Sequence, residues 1–217
     1  MSVDPAIIAA WTAAWAISRG KPAPVPVHGG FYVRDGRPRQ TARYVFPQLC
    51  ETVLGELTGA IDEPWIYLKF CAPRAAVAPL LPPGWSIAEP AYLMAAGGAV
   101  LGRPATPSPG YDWAMSEQDG VVALAMSSAA GEPAARGRLV LHGRLAIFDQ
   151  IETEEAHARR GLGSAVMRRL GEEAVKRGAK RGILVATPAG RALYLSLGWR
   201  TLSDFTSVFI DGGSGAS

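Results

Sequence analysis

Apolar positions recur along this chain at two different periods, and each change of period marks a new element. The apolar run from Ala6 to Ile17 predicts a buried helix over residues 5–19, with Asp4 as N-cap, Pro5 at the first helical position and Gly20 at its end. The Pro- and Gly-rich stretch from Lys21 to Gly30 reads as an extended connector. Phe31-Tyr32-Val33 is a short strand turned by Asp35-Gly36. Leu49, Val53, Leu54 and Leu57 return at helical spacing and predict a helix over 47–59. A strand at 65–72, a short helix from Pro73 to Leu81 and a strand near 91–96 follow. The segment 101–110, rich in Pro and Gly, reads as a loop and a boundary.

Beyond it the pattern is regular. Strands are predicted at 111–117, 120–128, 136–142 and 144–153, the first two joined as a hairpin through Asp119-Gly120. Leu162, Val166, Leu170 and Ala174 form one stripe of a helix over 161–177; Lys176 and Arg177 lie at its negative end and Gly178 caps it. A buried strand at 182–186, a short helix at 188–197 ending in Gly198-Trp199 and a strand at 205–210 complete the order, and the Gly/Ser tail at 212–217 reads as disordered. Helix, strand, short helix opening at a proline, Gly-Trp and strand describe both 47–96 and 161–210, with Gly84-Trp85 matching Gly198-Trp199. That is either a degenerate repeat or the recurrence of a common α/β unit.

Composition narrows the class. With 217 residues, 48% apolar and 19% charged, the chain is a folded globular protein of one large domain or two small ones with a shared core. Its net charge of +3 is modest, and much of the excess is local, in Arg159, Arg160, Arg168, Arg169, Lys176, Arg177, Lys180 and Arg181. Such a run coats a solvated helix face or draws a polyanionic ligand. Glu172 and Glu173 interrupt it and no aromatic platform is interleaved, which argues against nucleic acid. Cys50 and Cys71 lack zinc-type spacing and read as buried thiols of a reducing compartment, with no metal site expected. Asp4, with no Lys or Arg, precedes the N-terminal apolar run. That polarity is wrong for an export signal and the run is too short to span a bilayer, so a cytoplasmic protein without a membrane partner is expected.

The chemistry concentrates at Ala158-Arg159-Arg160-Gly161-Leu162-Gly163-Ser164, between the strand ending at Thr153 and the helix that follows. A strand, a glycine-rich basic turn and a helix N-terminus aim several backbone N–H groups at one spot, which suits a phosphate or pyrophosphate. No Lys-Ser/Thr follows the glycines, which excludes a nucleotide-hydrolysing P-loop.

Together these residues resemble the GNAT superfamily of acetyl-CoA-dependent N-acyltransferases, over roughly residues 111–210. Arg159-Arg160-Gly161-Leu162-Gly163 fits the family pattern Gln/Arg-x-x-Gly-x-Gly/Ala except that Ala158 stands at its first position. Some thirty residues on, Tyr194-Leu-Ser-Leu-Gly198-Trp199 matches the end of a second family pattern, with Thr187 in an Asn place and Gly190 in an Ala place. The resemblance implies an α/β fold: a mixed, mostly antiparallel central sheet flanked by helices, with a further α/β N-terminal region packed on it. It divides the chain into an N-terminal α/β region at 1–100, a candidate degenerate copy, and an acetyl-CoA-binding domain at 101–217.

The implied function is transfer of an acetyl group from acetyl-CoA to a primary amine by direct attack, on a small-molecule or peptide acceptor. A non-catalytic acyl-CoA-binding or sensing module is the alternative. By resemblance, the amides of Arg160, Gly161, Leu162, Gly163 and Ser164, with charge from Arg159 and Arg160, hold the pyrophosphate. The main chain of Ile151 and Thr153 pairs with the pantetheine. Tyr194 is the candidate acid at the thioester, with a hydrogen-bonded core tyrosine as its other reading. For the base, period two puts Asp149 and Ile151 on one face of the strand and Gln150 and Glu152 on the other. Asp149 leads and Glu152 follows, each of which reads equally as a strand-end charge; His142 or ordered water are further choices. Residues 1–100 match no acceptor signature. Trp11, Trp15, Trp65, Trp85 and Tyr92 give them surface to wall an acceptor pocket, to form a second copy or to build a homodimer interface.

Overall fold

A computed structural model of the chain describes residues 3–105 and 108–213. The N-terminal half runs α1 (Pro5–Ser18), β1 (Val25–Val27), β2 (Gly30–Arg37), β3 (Gln40–Phe46), α2 (Glu51–Ala60), β4 (Ile66–Phe70), α3 (Arg74–Val77), β5 (Trp85–Ile87), β6 (Tyr92–Gly97) and α4 (Gly98–Leu101). The C-terminal half runs β7 (Tyr111–Gln118), β8 (Val121–Ser128), β9 (Pro133–His142), β10 (Leu145–Thr153), α5 (Leu162–Lys176), β11 (Arg181–Ala186), α6 (Pro188–Ser196), β12 (Arg200–Asp204) and β13 (Thr206–Ile210).

Two sheets result, in the orders β1-β2-β3-β4-β13-β5 and β12-β6-β11-β10-β9-β8-β7. Pairing is antiparallel except at β3–β4 and β10–β11. Read from the β5 and β12 edges, the two sheets place corresponding elements in the same order. Each half sends its last strand into the other's sheet: β6 lies between β12 and β11, and β13 between β5 and β4. Neither sheet is therefore complete without the other half of the chain.

The cores follow from this layering. Helix α1 sits between the sheets, where Ile8, Trp11, Ala14 and Trp15 pack against Val33 and Val45 of the first sheet and Ile147 and Ile183 of the second. Contact on both sides explains why its sequence is apolar almost all round. Leu54, Leu57 and Val77 cover the outer face of the first sheet at Phe46, Leu68 and Phe70. Leu162, Val166 and Leu170 of α5, with Leu101 and Tyr194, cover the outer face of the second at Leu124, Leu139 and Phe148.

Several expectations need correction. Asp35-Gly36 is no turn: β2 bulges there, Gly36 adopts φ +73, and the hairpin closes after Arg37, with Arg39 at φ +57. Strand β3 escaped detection because Arg43 occupies a buried position in it and breaks the apolar alternation. The connector 21–30 contains β1, and the three-residue β5 and polar β12 carry too little pattern to read. Cys71 is buried, which pushes its thiol up to about 12, whereas Cys50 is exposed, just ahead of α2. Residues 106–107 of the expected loop and 214–217 of the expected tail lie outside the described residues.

Candidate active site

Strands β10 and β11 pair through only Leu145↔Arg181, Ala146↔Gly182 and Ile147↔Ile183, and then part. On its other side β10 bulges between Asp149 and Glu152, with Gln150 in the left-handed region at φ +52. The corresponding strands of the first sheet stay paired from Ala42↔Ile66 to Phe46↔Phe70. The parting opens a cleft of about 490 Å³ between Phe148–Thr153 and Leu184–Ala186, bordered by Gly163, Leu193 and Tyr194. Beyond the bulge, Glu154 N–H donates to Ala134 C=O. Main-chain groups alternate along an extended strand, so those of Thr153 and Ile151 turn to the unpaired, cleft side.

The bulge corrects the expected assignment of faces. Asp149 points to α1, where its carboxylate accepts from Ser18 Oγ at 2.9 Å and from Arg19 Nε and Nη2 at 2.9 and 2.8 Å. Ile151 packs on the α5 side, against the core that holds Val166 and Leu170. The extra residue shifts the alternation by one, so Asp149 and Ile151 do not share a face.

At the end of β10, Arg159 (φ +61) and Gly161 (φ +77) bend the chain into α5. Gly161 is the N-cap and no side chain caps the helix, so the N–H groups of Leu162, Gly163 and Ser164 have no intrahelical partner. At Gly163 a Cβ would stand 3.1 Å from Leu193 Cδ2, so this glycine lets α5 and α6 approach. A hollow of about 530 Å³ adjoins the turn, lined by Tyr111, Arg160, Gly161, Ser164 and Arg168 among others. Arg160 donates to Tyr111 Oη at 2.9 Å and to Ala156 C=O, and Tyr111 Oη lies 3.0 Å from His157 Nδ1. Arg159 is exposed and lines neither space. Tyr111 was not among the expected site residues, and Arg168 stood only in the basic run, although Gly161, Ser164 and Arg168 lie on one helix face by i, i+3, i+7 spacing.

Tyr194 lines the cleft and is 7% exposed. Burial, and then the charge of Asp149, pushes its phenol up to about 12, so it stays a proton-bearing group at any working pH. Among the described residues its hydroxyl has no hydrogen-bond partner. Glu152 is half exposed, and its carboxylate accepts from Arg136, its cross-strand partner on β9. His142 is exposed at the opposite end of the β9–β10 hairpin and lines no part of the cleft.

The sequence across this cleft and turn matches a known family. The model of the acetyltransferase (GNAT) family covers residues 81–199, more than half of the chain. The protein belongs to the GNAT acetyltransferases. Among solved structures, a GCN5-related N-acetyltransferase from Kribbella flavida aligns with a TM-score of 0.68 at 16% identity, over 98% of this chain and 97% of that one. Another from Sphaerobacter thermophilus aligns with a TM-score of 0.59 at 12% identity, over 98% and 95%. A tandem GNAT protein from the clavulanic acid biosynthesis pathway aligns with a TM-score of 0.55 at 13% identity, over 86% and 80%. At these identities the likeness concerns the GNAT fold. No curated protein matches the chain. Among the described residues no helix is long and apolar enough to cross a membrane.

Proposed function

We propose that this GNAT protein transfers an acetyl group from acetyl-CoA to a primary amine, with the cofactor in the C-terminal half. The observation that carries this reading is the continuous track from the parted β10–β11 edge to the uncapped N-terminus of α5. A pantetheine arm carries amides that an open strand edge can pair with, which suits the main chain of Ile151 and Thr153. A pyrophosphate suits the N–H groups of Leu162, Gly163 and Ser164 and the positive end of the α5 dipole. In this assignment Arg160 and Arg168, and not Arg159, supply the side-chain charge around it. Backbone amides dominate the contact, so Ala158 costs little.

Acetyl-CoA supplies an activated acyl group, and the chain's residues handle protons. A neutral amine attacks the thioester carbonyl, and the sulfur leaves with the bonding electrons. Tyr194 donates a hydrogen bond to that sulfur. With its pKa near 12, against about 8.5 for an alkyl thiol, it steadies the developing thiolate and keeps its own proton. Three of the roughly four acceptor positions of Asp149 are taken by Ser18 and Arg19. The remaining one serves to orient the incoming amine, whose proton leaves to water. Glu152, bonded to Arg136 at the surface, takes no part. The N-terminal half is read as a degenerate copy that lost the slot: its β3–β4 pair does not part, and no glycine turn precedes α2.

Thiol release from acetyl-CoA over a panel of amines tests this directly. Tyr194→Phe is expected to lower kcat by about 10²-fold or more while acetyl-CoA still binds. Equal rates in variant and wild type would remove Tyr194 from the chemistry. Tight acetyl-CoA binding without release for any amine would leave a sensing module in place of an enzyme.

A further inference from the structure

A second space meets the cleft on the α1 side of the second sheet. It measures about 230 Å³ and shares Arg19, Phe148, Asp149 and Val185 with the cleft. Trp11, Trp15 and Phe205 wall it, and its far end is formed by Arg37, Arg43 and Lys69 of the first sheet. The volume falls below the ~300–1,000 Å³ usual for drug-sized ligands, so its occupant is small.

The charge of this space is unbalanced. Asp35, fully enclosed, accepts from Arg37 at 2.7 Å and from Arg43 at 2.6 Å, and Lys21 stands 3.3 Å away. Asp149 is occupied by Arg19. Asp149 and four cations, Arg19, Arg37, Arg43 and Lys69, line the space, with Asp35 and Lys21 paired behind the lining. The Arg43 side chain is only 5% exposed and stacks 3.5 Å over the Trp15 ring. Its Nε is buried with no partner among the described residues. An unpaired donor on a buried guanidinium is destabilising unless a ligand satisfies it. Lys69 bonds only to Ser207 Oγ, at 2.8 Å, among the described residues. Burial, then repulsion by Arg43, outweighs the attraction of Asp35 and pushes its amine down to about 7.

Resting on the acetyltransferase reading, we infer that this space holds the acceptor and that the acceptor is a small amine carrying an anionic group, most simply a carboxylate. The anion lies on Arg37, Arg43 and Lys69 at the far end. The amine then stands at the shared end, by Asp149 and Val185, where the thioester slot begins. A guanidinium pair and an ammonium match a carboxylate or phosphonate and disfavour an uncharged amide, which offers one acceptor oxygen and no countercharge. The first sheet, which lost its own slot, thus supplies the specificity of the second.

Binding and turnover are measured separately, on the full-length protein. Calorimetry uses aminocarboxylates graded from glycine to 6-aminohexanoate, the amide of each, and the phosphonate analogue of the best. At least one acid should bind tenfold or more tightly than its own amide, and Lys69→Met and Arg37→Gln should each reduce that preference. Phosphonate binding more tightly than carboxylate identifies the anion as a phosphoryl group; the reverse identifies a carboxylate. Equal binding of every acid and its amide, or a preference untouched by both variants in a protein that melts normally, overturns the assignment. Thiol release is read in parallel: acids that bind yet release no thiol keep the anion site and sink the acetyl-transfer reading. Transfer confined to uncharged amines does the opposite.

Discussion

At the residue scale, the informative side chains are those whose surroundings contradict their type. Gln150 holds a left-handed backbone without being glycine, a strain of order 1–3 kcal/mol that persists only where surrounding structure demands it. Lys69 and Arg43 keep charge in an interior that resists it. Lys69 makes a pH signature. Its pKa falls from 10.5 to about 7 on folding, so between those values the unfolded chain binds a proton that the native state does not. The resulting penalty is full below pH 7 and disappears as pH rises towards 10. Lys69→Met should therefore be more stable than wild type in urea unfolding at pH 6, with the gap closing by pH 10; a gap that ignores pH would contradict the buried charge. None of this was readable beforehand. In sequence Asp35 reads as a turn residue, Arg37 and Arg43 fall in no expected strand and Lys69 is a lone strand charge; only the pairing of β2, β3 and β4 brings the three cations to one end of a pocket, with Asp35 enclosed beside them.

At the scale of elements, the turn from β10 into α5 was legible because its physics is local. Glycines at 161 and 163, the stripe from Leu162 to Ala174 and Gly178 after the last turn each act within a few residues. Its immediate partners were less so. The bulge at Gln150 left no mark in the sequence, and strict alternation placed Asp149 and Ile151 together when the fold sets them on opposite faces. The bulge is also what parts β10 from regular pairing, so it is testable as a device. Deleting Gln150 removes the extra residue and lets β10 pair with β9 in a single register from Asp149↔Arg138 through Glu152↔Arg136, which straightens the strand that now bends away from β11. The variant should keep its far-UV dichroism yet lose acetyl-CoA binding by tenfold or more in calorimetry. Retained affinity would show that the amides of α5 suffice without the strand.

At the scale of the molecule, the recurring order of elements at 47–96 and 161–210 was visible as a pattern, but its consequence was not. The halves exchange strands, β6 one way and β13 the other, each seated between two strands of the opposite half. Cutting after residue 100 leaves each sheet without an internal strand. Fragments 1–100 and 101–217 should each lack cooperative thermal unfolding and recover it on mixing; independent folding of either would argue against the exchange. The arrangement also divides labour. A slot opens where β10 and β11 part, while the intact β3–β4 pair presents charge to the space beyond it. Hydrogen exchange with and without acetyl-CoA tests this division most directly. Slowed exchange is expected at 150–153 and 162–165, with none at 42–46 or 66–70. Protection of the β3–β4 segments, or no change at the β10–α5 track, would contradict the account.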